Sequence, residues 1–167
     1  MNFGGSSITE NCYSWIKNNL EEGKVIVEIG AGNISTKLLS ERWKLFSIES
    51  NSKYVNYFES ATYIYSPIFN NWYDTNPLKE KLPEKIDLLF IDGPLSSDGG
   101  KRSNVIQNYE LFKLSEDGII VVDDTYREDE KRIVDYFVEK HNFNICHEGT
   151  DEKTNTHQFT VLRRNCD

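Results

Sequence analysis

Acidic residues stand at the ends of short apolar runs at four places in this chain. They are Glu28 after Val25–Val27, Glu49 after Lys44–Ile48, Asp92 after Ile86–Ile91, and Asp123 with Asp124 after Ile119–Val122. A carboxylate so placed can accept hydroxyl or amine protons, act as a general base, or ligate a hard cation. The first of them is followed at once by Gly30 and Gly32, then Asn33, Ser35 and Thr36. Glycine permits positive φ and close ligand approach, and a helix starting near Asn33–Ser35 offers N–H groups without intrahelical partners. Lys24–Thr36 therefore predicts a ligand cradle at the carboxyl end of a buried parallel strand.

Two ligand classes compete for that cradle. A dinucleotide fingerprint needs a third glycine for close helix–strand packing, and Ser35 stands at that position when counted from Gly30. It has no need of an acid two residues before its first glycine, whereas Glu28 is there. Such an acid suits a cationic ligand, or a hydroxyl or amine donor, better than a pyrophosphate. Glu49 lies 19 positions beyond Gly30, near the offset at which an acid on the neighbouring strand reaches ribose hydroxyls. The bland alternatives for Glu49 are a solvated turn or a cap for a helix over Lys53–Ser60.

The elements that must position these acids alternate strand and helix. Ile8–Leu20 reads as an amphipathic helix with Thr9 as N-cap and Cys12, Trp15, Ile16 and Leu20 on one face; Gly4–Thr9 is a candidate lid. Lys37–Arg42 continues the first crossover helix, and Ala61–Ser66 is a third strand. Ile68 or Phe69 can stack on a purine, while Trp72 and Tyr73 are loop anchors or pocket walls. Ile86–Ile91 is the clearest buried strand, followed by a polar loop in which Lys101 and Arg102 hold an anion or are simply solvated. A helix over Val105–Lys113, a strand over Ile119–Val122, a helix over Arg127–His141 and a closing pair at Phe143–His147 and Gln158–Arg163 complete the pattern. That succession predicts an α/β fold with a mostly parallel sheet and one antiparallel strand. All four acidic strand ends then face one crevice.

With 167 residues the chain suits a single domain spanning 1–167, with 1–23 as an N-terminal helical segment. A net charge of −8 argues against a nucleic-acid partner, which demands clustered Lys and Arg. No apolar run approaches the roughly 18–20 residues of a membrane span. The N-terminal residues lack the basic and apolar regions of a signal peptide. Cys12, Cys146 and Cys166 are odd in number and widely spaced, which favours free thiols and a cytoplasmic location over a disulfide framework.

Taken together, EIGAGNIST, FSIES, the PI…NWYDT segment, FIDGP and VVDDTYREDE resemble a bacterial branch of the class I S-adenosylmethionine-dependent methyltransferases, in order from about Lys24 to Arg164. The resemblance implies a Rossmann-like methyltransferase fold, a seven-stranded sheet in the order 3-2-1-4-5-7-6 with helices on both faces. It implies S-adenosylmethionine as cofactor, with Glu28, Gly30, Gly32, Asn33, Ser35, Glu49 and Ile68 as cofactor-binding residues. Asp92, Asp123 and Asp124 are the candidate catalytic residues. A looser similarity to cation-dependent catechol-type O-methyltransferases suggests Mg²⁺ on those three acids, although Leu95 stands where those enzymes carry a lysine base. The competing role for Asp92 is to accept or direct the acceptor's proton, with Asp123 or Asp124 capping the following helix.

The reading is an enzyme, a methyltransferase acting on a hydroxyl of a small molecule or glycan precursor. The candidate acceptor loops, Pro67–Pro83, Leu95–Asn104 and Glu148–Thr156, spell no specificity, and a small enzyme of this kind can complete its pocket as a homo-oligomer. Two alternatives stand beside it. One is a non-catalytic domain that binds S-adenosylmethionine or S-adenosylhomocysteine. The other is an NAD-dependent oxidoreductase, disfavoured by Ser35 and by the lack of a Tyr-x-x-x-Lys or His–Asp catalytic set.

Overall fold

A computed structural model describes residues 8–150 and 158–166. Helix α1 (Glu10–Asn19) starts where expected: the Thr9 hydroxyl accepts the Cys12 N–H at 3.2 Å, satisfying one donor of the open first turn. Most of the Gly4–Thr9 stretch, and residues 151–157 of the last acceptor loop, lie outside the described residues.

Among the described residues nine strands follow: β1 (Val25–Ile29), β2 (Lys44–Glu49), β3 (Thr62–Tyr65), β4 (Ile68–Phe69), β5 (Trp72–Tyr73), β6 (Ile86–Ile91), β7 (Leu114–Val122), β8 (Asn144–Thr150) and β9 (Gln158–Arg163). Seven form one sheet in the order β3-β2-β1-β6-β7-β9-β8. Counting only the strands of that sheet, this is the expected 3-2-1-4-5-7-6. The first five strands in that row pair in parallel, and β9 runs antiparallel to both β7 and β8. Helices α2 (Ser35–Ser40), α3 (Thr75–Lys81), α4 (Val105–Asn108) and α5 (Glu128–His141) complete the chain.

Alternation along the strands sends side chains to two cores. Val27, Ile29, Leu89, Ile91, Ile120 and Val122 pack with Leu78, Val105, Ile133 and Phe137 on one face. Ile26, Leu88, Phe90 and Val121 pack with Cys12, Ile16 and Leu39 on the other. Because both faces are covered, the central strands read as unbroken apolar runs rather than alternating ones.

Several local expectations are corrected. Residues 53–60 form turns, with Asn56 at φ 63°, and no helix follows Glu49. The expected helix over Val105–Lys113 is one α-turn, α4, between 3₁₀ turns at Arg102–Asn104 and Tyr109–Leu111. Strand β7 begins at Leu114, five residues early, because a register shift opposite Ile86–Leu88 lets its polar start continue the ladder. The segment after β3 holds a hairpin, β4–β5, turned by Asn70 and Asn71 at φ 51° and 65°, a conformation asparagine tolerates well. Cys12 is a buried free thiol, whereas Cys146 and Cys166 are joined by a disulfide. The β8–β9 pairing carries the chain back alongside Cys146, a closeness that 20 residues of separation concealed.

What positions the site is the ladder continuing past the strand ends. Gly30 N–H donates to Ile48 O, Asp92 N–H to Ile29 O, Asp123 N–H to Ile91 O, and Ser66 N–H to Glu49 O, at 2.9–3.1 Å. At this edge Gly30 and Gly93 meet backbone to backbone. A Cβ at Gly30 would stand 2.8 Å from Gly93 Cα, and φ there is +92°. Gly30→Ala should therefore lose both backbone ease and space, about 2–5 kcal/mol in urea unfolding. Gly99→Ala, also at positive φ (+78°) but with nothing within 4 Å, should lose only about 1–2 kcal/mol. Equal losses would show that the glycine contact constrains nothing.

Candidate functional site

Glu28 lies beneath the glycine turn and is fully buried. In the parallel register it sits opposite Ser47 of β2. Its Oε2 accepts the Ser47 and Thr36 hydroxyls, each at 2.6 Å, and its Oε1 accepts the Ser35 hydroxyl at 2.5 Å. The Thr36 hydroxyl in turn accepts the Gly32 N–H at 3.0 Å. One carboxylate thus joins β1, β2, the first turn of α2 and the glycine turn. Burial pushes its pKa up to about 7, and the Glu49 charge adds to the rise, although the three hydroxyl donors pull the other way.

Above this foundation opens a cavity of about 580 Å³. Gly30, Gly32, Asn33 and Glu49 line it, as do Asp92, Asp123 and Asp124. Glu28 and Ser35 are not on its wall, and Ile68 lines an adjoining hollow with Ser50, Asn51, Ser52, Tyr65 and Asp98. Glu49 is held by the Asn51 N–H, which donates to its Oε1 at 2.6 Å, and burial raises its pKa. Tyr73 is a wall of the cavity, while Trp72 is a core residue.

Sequence reasoning missed an aromatic flank, Tyr54, Tyr57, Phe58 and Tyr63. The i, i+3, i+4 spacing of Tyr54, Tyr57 and Phe58 would have put them on one face of a helix too, so that spacing was the available signal; the turns bring them to the cavity beside Tyr63 of β3. Of the two readings for Arg102, solvation fails: it is 6% exposed and the anions it holds are the chain's own carboxylates. Its Nη2 meets Asp92 Oδ1 at 3.0 Å, and its Nη1 meets Asp124 Oδ2 at 3.0 Å and Glu130 Oε1 at 3.4 Å. Arg127, half exposed, also meets Asp124 at 3.0 Å. Asp92 has its pKa pushed well up by burial first and by Asp123 next, with Arg102 opposing.

The three catalytic candidates are thus brought together, but around a guanidinium. Among the described residues no group of three or more His, Cys, Asp and Glu could hold a metal ion. Two of the three carboxylates proposed for Mg²⁺ are already bridged by Arg102, so this donor set does not fit that ion. No helix among the described residues is long and apolar enough to cross a membrane.

No protein-family model and no curated protein matches the chain. Solved structures do. The chain is similar to the cofactor-bound structure of Rv0187 from MTB, at 13% identity and a TM-score of 0.72, covering 99% of this chain and 85% of that one. It is also similar to 1,6-didemethyltoxoflavin-N1-methyltransferase of Burkholderia thailandensis, solved with 1,6-didemethyltoxoflavin and S-adenosylhomocysteine bound, at 11% identity, 95% and 78% coverage, and a TM-score of 0.61. A third is the TehB-like SAM-dependent methyltransferase of Corynebacterium glutamicum, at 15% identity, 92% and 86% coverage, and a TM-score of 0.60. At such identities the likeness is one of fold: the chain has the Rossmann-like sheet of these structures, two of which are described as methyltransferases.

The buried carboxylate makes stability depend on pH. Its folded pKa of about 7 lies above the ordinary 4.5. The stabilising contribution of its protonated form is therefore present below about pH 4.5 and lost as pH rises through 7, a change of roughly 3 kcal/mol. Glu28→Gln, which cannot ionise, should lack that loss. Urea unfolding of both proteins at about pH 5 and about pH 8 should show wild type weakening more than the variant; parallel changes would contradict the assignment.

Proposed function

We propose that this chain is an S-adenosylmethionine-dependent methyltransferase that methylates a hydroxyl of a small molecule or glycan precursor. The observation that carries the reading is the convergence of Gly30, Gly32, Glu49 and Asp92 on one cavity at the carboxyl edge of this sheet. Sequence motif and fold support the same reading independently, and similar structures were solved with cofactor or S-adenosylhomocysteine bound.

In this reading the Gly30–Gly32 turn admits the methionine portion close to the backbone, next to Asn33. Glu49, at the end of the neighbouring strand, accepts the ribose hydroxyls. The aromatic flank, Tyr54, Tyr57, Phe58 and Tyr63, offers π faces and apolar surface to the adenosyl group or the acceptor. Glu28 and Ser35 act from beneath by fixing the turn. S-adenosylmethionine supplies a methyl group activated on a sulfonium, which passes to the acceptor oxygen and leaves S-adenosylhomocysteine. Asp92 takes the hydroxyl proton as the C–O bond forms. A carboxylate raised in pKa by burial is a stronger base than one in water once it is ionised. The remaining work is alignment of the reacting atoms, for which near-attack geometry can supply several kcal/mol.

Isothermal titration with S-adenosylhomocysteine tests the cofactor assignment. Wild type should bind it and ignore NAD. Glu49→Ala should bind about 10- to 100-fold more weakly, from loss of charge-assisted bonds worth roughly 1.5–3 kcal/mol. A folded protein that binds NAD instead, or neither ligand, would overturn the proposal.

A further inference from the structure

The loop after β6 contributes a cation that the proposed chemistry does not itself require. Arg102 is nearly as buried as the strands it faces, although it lies in a polar loop. The backbone on either side is tied down. Lys101 N–H donates to Asn71 O of the β4–β5 turn at 2.8 Å. The Ser103 hydroxyl and N–H both donate to the Asp129 carboxylate of α5, at 2.7 and 3.2 Å. The β4–β5 turn and α5 therefore hold the loop so that one guanidinium enters the gap between Asp92 at the end of β6 and Asp124 just past β7, with Glu130 of α5 behind it.

The charges explain why a cation belongs there. Asp92, Asp123, Asp124 and Glu130 are gathered within a few residues' width, all nearly buried. Like charges at such range disfavour joint ionisation unless a cation stands among them. Two solutions exist: a divalent ion, which draws carboxylate oxygens in to roughly 2.0–2.6 Å, or an arginine, whose planar fork spans two carboxylates at hydrogen-bond distance. The fork occupies the approach to Asp92 Oδ1 and Asp124 Oδ2, so an ion cannot take both oxygens without expelling it.

We propose that Arg102 is the pocket's built-in counter-cation, a positioning residue that holds Asp92 and Asp124 in place of a divalent metal. Asp92 then owes its orientation toward an acceptor to the guanidinium. Without that guanidinium Asp92 would lose the cation beside it and Asp124 would keep the half-exposed Arg127, so the acids would become open to an added cation.

Manganese binding, followed by the electron paramagnetic resonance of free Mn²⁺, tests this on the full chain. It needs neither S-adenosylmethionine nor an acceptor, so its outcome and that of the methyl-transfer reading are separate. Wild type should leave Mn²⁺ free. Arg102→Gln should bind one ion about tenfold or more tightly than wild type. Arg102→Lys, which restores a cation, should exclude Mn²⁺ again. Should Arg102→Gln fail to fold, its refolding is scored by circular dichroism with and without millimolar Mn²⁺, and folding only with the ion supports the proposal. Tight Mn²⁺ binding by wild type, equal affinity of wild type and Arg102→Gln, or failure to refold in both conditions overturns it.

Discussion

The carboxylate of Glu28 is the interaction on which the rest of the cavity depends. It is an acid with no solvent, no cation beside it and three hydroxyls pointed at it. Those hydroxyls come from two elements, and the Thr36 hydroxyl passes the constraint on to the Gly32 N–H. A loop of glycines has many accessible conformations, and fixing it costs entropy. Tying it to a buried carboxylate selects one conformation before any ligand arrives. Glu28 thus lies beneath the cavity wall, where it orients the glycine turn.

The second constraint is the flush alignment of strand ends. Parallel pairing in register sets Gly30, Glu49, Asp92 and Asp123 along one edge, and ladder bonds that run past the strands keep them there. Gly30 and Gly93 let the β1 and β6 turns touch through their backbones, which brings the cradle and Asp92 onto one cavity. Where that alignment crowds acids together, Arg102 relieves it. The two ends of the cavity thus settle their buried charges differently, by hydroxyl donors at Glu28 and by a guanidinium at Asp92 and Asp124.

Much of this was legible from the chain. Apolar β-branched runs bounded by glycine and acids located the central strands, and the motif resemblance supplied their order. What stayed hidden depended on partners far apart in sequence. Ser47 meets Glu28 only because β2 pairs with β1, so the chain alone left open whether this acid orients the motif or meets a ligand. Arg102 looked solvated because its neighbours are polar, but its partners come from β6, from the turn after β7, and from α5. The run Lys53–Ser60 looked helical by length, yet Asn56 takes positive φ and the chain turns, presenting Tyr54, Tyr57 and Phe58 to the cavity. The Cys146–Cys166 disulfide followed the same logic, since only the β8–β9 register brings the two residues together.

The adenosyl-cofactor site proposed at the carboxyl edge of this sheet rests on the Glu28-anchored turn. The most direct measurement is a ¹⁵N–¹H correlation spectrum of the chain titrated with S-adenosylhomocysteine. The amides of Gly30, Gly32, Asn33 and Asn51 should shift together and saturably, while those of Phe159 and Val161 in the core of β9 stay in place. A well-dispersed spectrum in which the strand-end amides do not move, or in which only distant ones do, would contradict the proposed site.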